Sequence, residues 1–324
     1  RYQNHFFVCD FTGGAASSSV RSFAVTEVGG GFAMVDEHKF IDHVLCTDVE
    51  FGYDGRVYVA DWGAGWVQNG EGRLYAISDP NWIDTEAALR VAELFRGGFE
   101  RPAIELAMLL RHRDRRVRFE AQWELATRGA SGEGLFCAYA REHGDPLPRL
   151  HGLWGLGQLG RSGKLTQKGR DTVQSLISDD DPRVRAVACQ VAGEIRDPAT
   201  IPDLTARLGD QSGRVIARAI EALGKVGGTH ATGPLLECAR AIGDQPGAMD
   251  PTLRQLIAIA LARVASPQLL VNAADDPHPS ARMVCLLALR RLGDARIARY
   301  LDDADPRIVT ECARAIYDVP IVAA

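Results

Sequence analysis

After Asp84 the apolar residues of this chain stop alternating and recur about every 3.6 positions, and one phrase opens each run. Its clearest form is Asp181-Pro182-Arg183-Val184-Arg185-Ala186. The Asp carboxylate can accept from N–H groups of the first helical turn, and Pro fits the first helical position because no N–H bond is needed there. Val184, Val187, Ala188, Val191, Ala192 and Ile195 then form one apolar stripe. Related starts are Asp114-Arg115-Arg116-Val117-Arg118, Asp145-Pro146, Asp210 with Arg214-Val215, Asp250-Pro251, Asp276-Pro277 and Asp305-Pro306-Arg307-Ile308, at intervals of 26 to 40 residues. Shorter helices are predicted between them, over 201–208, 234–241 and 267–274. A helix hairpin with one apolar stripe cannot bury it alone, so neighbours must stack. The prediction is an α-solenoid of helix hairpins over residues 100–324.

The first 79 residues read differently. Asp48 to Phe51 is a short strand, Asp54-Gly55 a hairpin turn, and Val57 to Trp62 a second strand. Gly63, Gly65, Gly70 and Gly72 then lead to a third strand, Arg73 to Ile77. In Val57 to Trp62 apolar residues fall in both alternating sets, so both faces are expected to be covered, as they are between the stacked blades of a β-propeller. His5 to Phe11, Val20 to Glu27 and Phe32 to Phe40 add strands of a further blade. A closed propeller needs at least about four blades. The chain opens on Arg1 and closes on Pro320-Ile321-Val322-Ala323-Ala324 without a polar capping helix, so a fragment is expected. The expected division is propeller blades at 1–79, a linker at 80–99 and the solenoid at 100–324.

Composition excludes several classes. With 46% apolar and 24% charged residues the chain is an ordinary globular one. A net charge of −5 gives no overall footprint for nucleic acid. No apolar run approaches the roughly 20 residues of a membrane span. The 7 cysteines include no Cys-x-x-Cys and no Cys-x-x-Cys-His, which excludes zinc knuckles and c-type haem attachment within this stretch. Cys189, Cys285 and Cys312 sit in helical patterns beside Val, Leu and Ala, as small apolar side chains do.

The candidate sites each carry a plainer alternative. Asp48 and Asp61 lie near the ends of neighbouring strands, where either could meet a ligand or cation at a channel mouth, or cap a turn. Arg56 and Arg73 read as bridges between strand edges. Asp36-Glu37-His38 and Asp42-His43 suggest a metal, yet an odd spacing sends His38 and His43 to opposite faces of a regular strand, so no metal is expected. Arg111, Arg113, Arg115, Arg116 and Arg118 form a dense basic run that could bind phosphate or an acidic partner, or pair with acidic groups of the adjoining structure. Trp154, among Gly152, Gly155 and Gly157, marks close helix packing or a ligand groove. The insertion from Gly243 to Met249 is a partner-contact loop or a solvated spacer.

The helix hairpins resemble HEAT repeats, particularly the short form also found in bilin lyases. A blade ending in Gly72-Arg73-Leu74-Tyr75-Ala76-Ile77 and running into such repeats resembles a family of large bacterial membrane-bound dehydrogenases, whose propeller is similar to that of soluble sugar (glucose/sorbosone) dehydrogenases. The match rests on His5 to Phe11, Val20 to Phe23, Thr47 to Phe51, Asp54 to Tyr58, and Asp61-Trp62. The resemblance implies a propeller, a HEAT array and then a cytochrome-c-like haem domain, in an extracytoplasmic protein, periplasmic or envelope-associated. It also implies pyrroloquinoline quinone with calcium on the propeller, beside a catalytic His in blades this sequence lacks. No catalytic residue carries over. Three functions compete. One is a dehydrogenase fragment, inactive alone, with a propeller for a sugar-like substrate and the solenoid as spacer. Another is a non-catalytic scaffold binding a protein partner on the solenoid surface. The third is a HEAT-type lyase, against which the strands at Thr47 to Ile77 weigh.

Overall fold

A computed structural model describes residues 2–63, 70–244, 249–318 and 321. The chain divides into two compact units, one of residues 1–27 and 32–124, the other of residues 28–31 and 125–324.

In the first unit, strands β1 (Phe6–Asp10), β2 (Ser19–Val28) and β3 (Gly31–Asp42) form one sheet in that order. Strands β4 (Cys46–Phe51), β5 (Val57–Asp61) and β6 (Arg73–Ile77) form an antiparallel second one, with Val49 opposite Val59 and Val59 opposite Tyr75. The β4–β5 turn follows from its residues: Gly55 takes φ +83°, and Asp54 accepts from the Arg56 N–H and the Tyr58 hydroxyl. Val20, Val44, Cys46 and Val59 are buried in a shared core, with Phe7, Phe40 and Ile77 against it. Coverage of β5 is uneven: Val59 is fully buried, whereas Val57, Tyr58 and Ala60 are half-buried. Each sheet has three strands, one fewer than a propeller blade, and the described residues do not close into a ring. Gly65 lies outside the described residues.

Residues 80–99, expected to be a linker, contain helix α1 (Glu86–Gly97). Thr85 caps it by accepting from the Ala88 N–H, and Val91 and Leu94 pack with Val117 in a small core. Helices α2 (Ala103–Leu109) and α3 (Arg115–Thr127) follow. Tyr53 stacks on Phe95 at 3.7 Å between centroids, and the Arg116 guanidinium lies 5.2 Å from the Tyr53 ring. The helical period that sets in after Asp84 thus opens with α1, whose stripe at Val91 and Leu94 is covered by Val117.

In the second unit the long helices α5 (Pro146–Arg161), α7 (Pro182–Ile195), α9 (Gly213–Val226), α11 (Pro251–Val264), α13 (Pro279–Leu292) and α14 (Pro306–Asp318) pack in series. Helices α4 (Ala130–Ala140), α6 (Gln167–Leu176), α8 (Ile201–Ala206), α10 (Thr232–Gly243) and α12 (Pro267–Asn272) form the second layer. Small residues allow the close contacts. A Cβ on Gly193 of α7 would lie 2.7 Å from the Ala222 Cα of α9, and one on Gly152 of α5 would lie 2.7 Å from the Phe136 carbonyl oxygen of α4. The glycines around Trp154 therefore serve helix packing, and Trp154 itself meets the buried His151 ring edge-on at 5.1 Å.

Asp145, Asp181 and Asp250 cap their helices as expected. At Asp210 and Asp276 the helices start later, at Gly213 and Pro279, and each carboxylate instead accepts from the N–H two residues on. The reason is a ladder between repeats. In four of the six long helices, α5, α7, α11 and α13, the fourth residue is Arg, and in three of these it donates to an Asp three residues before the start of the next long helix: Arg149 to Asp179, Arg185 to Asp210 at 2.9 Å, and Arg282 to Asp303 at 2.7 and 3.0 Å. Asp276 is taken instead by Arg240 of α10, at 2.6 Å. Burial alone would raise the carboxyls of Asp210, Asp276 and Asp303, but their arginine and backbone hydrogen bonds outweigh it and hold all three below the ordinary carboxylate range.

Candidate functional site

The fourth residue of α11, Arg254, stands at the ladder position, but its counterpart Asp276 is already bonded to Arg240. Arg254 lines a groove instead, of about 850 Å³, that crosses α11, α13 and α14. Helix α13 contributes Met283, Leu287, Arg290 and Arg291, and α14 contributes Arg307, Glu311 and Arg314. These residues are spaced three and four apart, which puts them on one face of each helix, beside the buried stripes of Val284, Cys285 and Ala288 and of Ile308, Cys312 and Ala315.

The groove is basic although the chain is acidic. Arg290 donates to Glu311 at 2.7 Å and to Asp318 at 3.2 Å, and Arg307 pairs with Asp305. Arg254 and Arg291 reach no carboxylate among the described residues, and Arg314 comes no nearer than 4.0 Å to Glu311. Met283 and Leu287 give the floor an apolar, half-buried strip. Such a surface can hold an anionic group against the arginines while an apolar group rests on Met283 and Leu287. It offers no nucleophile with a paired base.

The residues singled out in the sequence fall elsewhere. Asp48 is exposed and accepts from the Val49 N–H, beside a bulge in β4. Asp61 is buried and accepts from the Gly63 N–H and the Tyr75 hydroxyl, with Arg73 at 3.8 Å. The run around Arg115 does not act as one patch. Arg116 is forked onto Asp114 and donates to the Phe51 and Gly52 carbonyls, and the buried Arg118 donates to the His112 and Arg113 carbonyls. Arg111, Arg113 and Arg115 remain exposed. His38 bonds the Asp36 carbonyl and His43 sits past the strand at φ +58°; among the described residues no three metal-ligating side chains converge.

One arrangement has the outline of a nucleophilic site. His5 Nδ1 is 2.9 Å from Ser22 Oγ, and its Nε2 is 3.4 Å from Asp36. Ser22 is fully buried, so its hydroxyl links strands and meets no substrate.

The family model for HEAT repeats matches residues 133–224 and 170–246. No curated protein matches the chain. Among solved structures, the CpcE–CpcF complex of phycocyanin lyase from Nostoc sp. PCC7120 is similar at 19% identity, covering 68% of this chain and 88% of that one, with a TM-score of 0.39. YibA of Escherichia coli is similar at 17% identity, covering 69% and 85%, with a TM-score of 0.45. A designed armadillo repeat protein is similar at 13%, covering 59% and 100%, with a TM-score of 0.38. The repeated hairpins and the family match make the second unit a HEAT-like helical repeat scaffold. No helix among the described residues is long and apolar enough to cross a membrane.

Proposed function

We propose that the protein is a non-catalytic interaction scaffold that holds a protein partner against α11, α13 and α14. The observation carrying this reading is the groove itself, which runs across three helices in series and combines unpaired arginines with an apolar strip. Repeat arrays bind along such rows because each repeat adds one more similarly oriented helix face. The test is capture by the full chain beside a variant carrying Arg254→Glu and Arg291→Glu. A partner recovered by the wild type, lost by that variant and kept by an Arg113→Glu, Arg115→Glu control supports the reading. Equal recovery by all three refutes it.

A second reading is favoured by the apolar side chains the two sheets leave open, among them Phe6 at 52% and Leu74 at 70% exposure. In it the sheets are blades of a larger propeller whose further strands cover those faces. The sugar-like substrate, the quinone with calcium and the extracytoplasmic location then belong to a longer dehydrogenase. Leu74→Asp should leave this chain folded and disrupt the longer protein; equal tolerance in both would refute it.

A further inference from the structure

We infer that the α11–α13–α14 groove recognises an extended acidic peptide segment of its partner, with carboxylates on Arg254, Arg291 and Arg314 and an apolar side chain over Met283 and Leu287. This inference rests on the scaffold reading and specifies its ligand.

The ladder supplies the argument. Arg149, Arg185 and Arg282 stand at the same helical position as Arg254, and each is neutralised by an Asp before the next long helix. Arg254 alone of these four lacks that partner; Asp276 bonds Arg240 instead. A half-buried guanidinium without a carboxylate loses hydration and gains no ion pair in return, so an incoming carboxylate gains more here than at a fully exposed arginine. Arg291, one helix along, and Arg314, two along, extend the positive row. Side chains of an extended strand project to one face about every 6.6 Å, shorter than the 8 to 10 Å between packed helices. Alternate carboxylates can therefore address successive helices through the long arginine stems.

The apolar strip favours a peptide over nucleic acid. Met283 and Leu287 suit an aliphatic side chain between carboxylates, and the groove contains no aromatic ring on which a base could stack. The chain's net charge of −5 also repels a polyanion at long range, whereas a short segment with a few carboxylates is drawn by local fields.

The probe is a fluorescein-labelled peptide alternating Glu with Leu, titrated into the full chain and followed by anisotropy. Its Gln-for-Glu counterpart and a single-stranded oligonucleotide serve as comparisons. Saturable binding of the Glu peptide is expected, weakened by added salt and at least about tenfold tighter than the Gln peptide. Arg254→Gln with Arg291→Gln should weaken it at least about tenfold, with an unchanged circular dichroism spectrum showing that the variant folds. Met283→Ser should weaken the Glu peptide and leave the salt dependence in place. The inference is overturned if the Glu and Gln peptides bind alike. It is overturned equally if only the oligonucleotide binds, or if sedimentation shows that Arg254 and Arg291 serve self-association instead. If the Glu peptide fails while groove-dependent capture persists, the ligand class is wrong and the scaffold reading stands. If capture fails too, the scaffold reading falls with it.

Discussion

Replacing Asp210 by Ala removes the acceptor that joins α7 to the turn before α9. Asp210 has a side chain only 3% exposed and Arg185 one that is 14% exposed. Arg185 donates two hydrogen bonds of 2.9 Å to Asp210, and its remaining nitrogen donates to the Asp179 and Asp180 carbonyls. Breaking a buried ion pair by deleting one partner costs about 3 to 5 kcal/mol. Arg185 keeps its two carbonyl acceptors, which lowers the expected loss to about 2 to 4 kcal/mol, part of it from the orphaned Ser212 N–H. An exposed pair provides the contrast. Arg299 and Asp275 approach to 2.5 Å but are 49% and 74% exposed, so Asp275→Asn should cost no more than about 1 kcal/mol. Urea denaturation followed at 222 nm reads both, with slope and midpoint fitted together because a repeat array need not unfold in one step. Adding Arg185→Met to Asp210→Ala should recover part of the loss, with a coupling of about 1 to 3 kcal/mol. Equal midpoint shifts for Asp210→Ala and Asp275→Asn would refute the claim that the buried rung holds the repeats together.

The same carboxylates set a pH dependence. Asp210, Asp276 and Asp303 titrate lower in the folded chain than in the unfolded one, so their contribution is complete above the unfolded value of about 3.9 and is lost as pH falls through the lower folded values. The urea midpoint should therefore drop steeply below about pH 4, and Asp210→Asn should flatten that drop; an unchanged slope would contradict it. Asp181→Ala removes an acceptor 2.8 Å from the Arg183 nitrogen and should cost about 0.5 to 2 kcal/mol in the same assay. Gly152→Ala puts a methyl against the α4 backbone and should cost about 1 to 3 kcal/mol, whereas a neutral result would return the Trp154 segment to consideration as a ligand groove. Burial pushes the thiols of Cys189, Cys238 and Cys285 up to about 12, so native protein at pH 8 should leave them unalkylated and urea should expose them, as read by mass spectrometry.

The solenoid was legible because its period, its Asp-Pro starts and its stripe at Val184, Val191 and Ala192 are local signals that agree with one another. The strands at 48–51 and 73–77 were legible for the same reason, from alternation and from the Asp54-Gly55 turn. Helix α1 agrees with the change of period after Asp84, but what covers its stripe was not legible, since Val91 and Leu94 pack on Val117, more than twenty residues away. The groove was the least legible feature. A sequence reader notices Arg111 to Arg118 because they are neighbours in the chain, yet the fold uses Arg116 and Arg118 to satisfy carbonyls. Arg254, Arg291 and Arg314 are far apart in sequence and meet only because α11, α13 and α14 stack. The sequence does not single out Arg254: it holds the same helical place as Arg149, Arg185 and Arg282, and Asp276 precedes the next long helix by three residues as Asp179, Asp210 and Asp303 do, so only the fold shows Arg240 taking that carboxylate.

Hydrogen exchange of the full chain with and without its captured partner tests the central claim most directly, because exchange reports which helices a ligand covers. Protection should rise over 251–264, 279–292 and 306–318, and should disappear when Arg254 and Arg291 are replaced by Glu. Protection confined to the strands between residues 6 and 77, with these three helices unchanged, would contradict the assignment of the groove as the partner site.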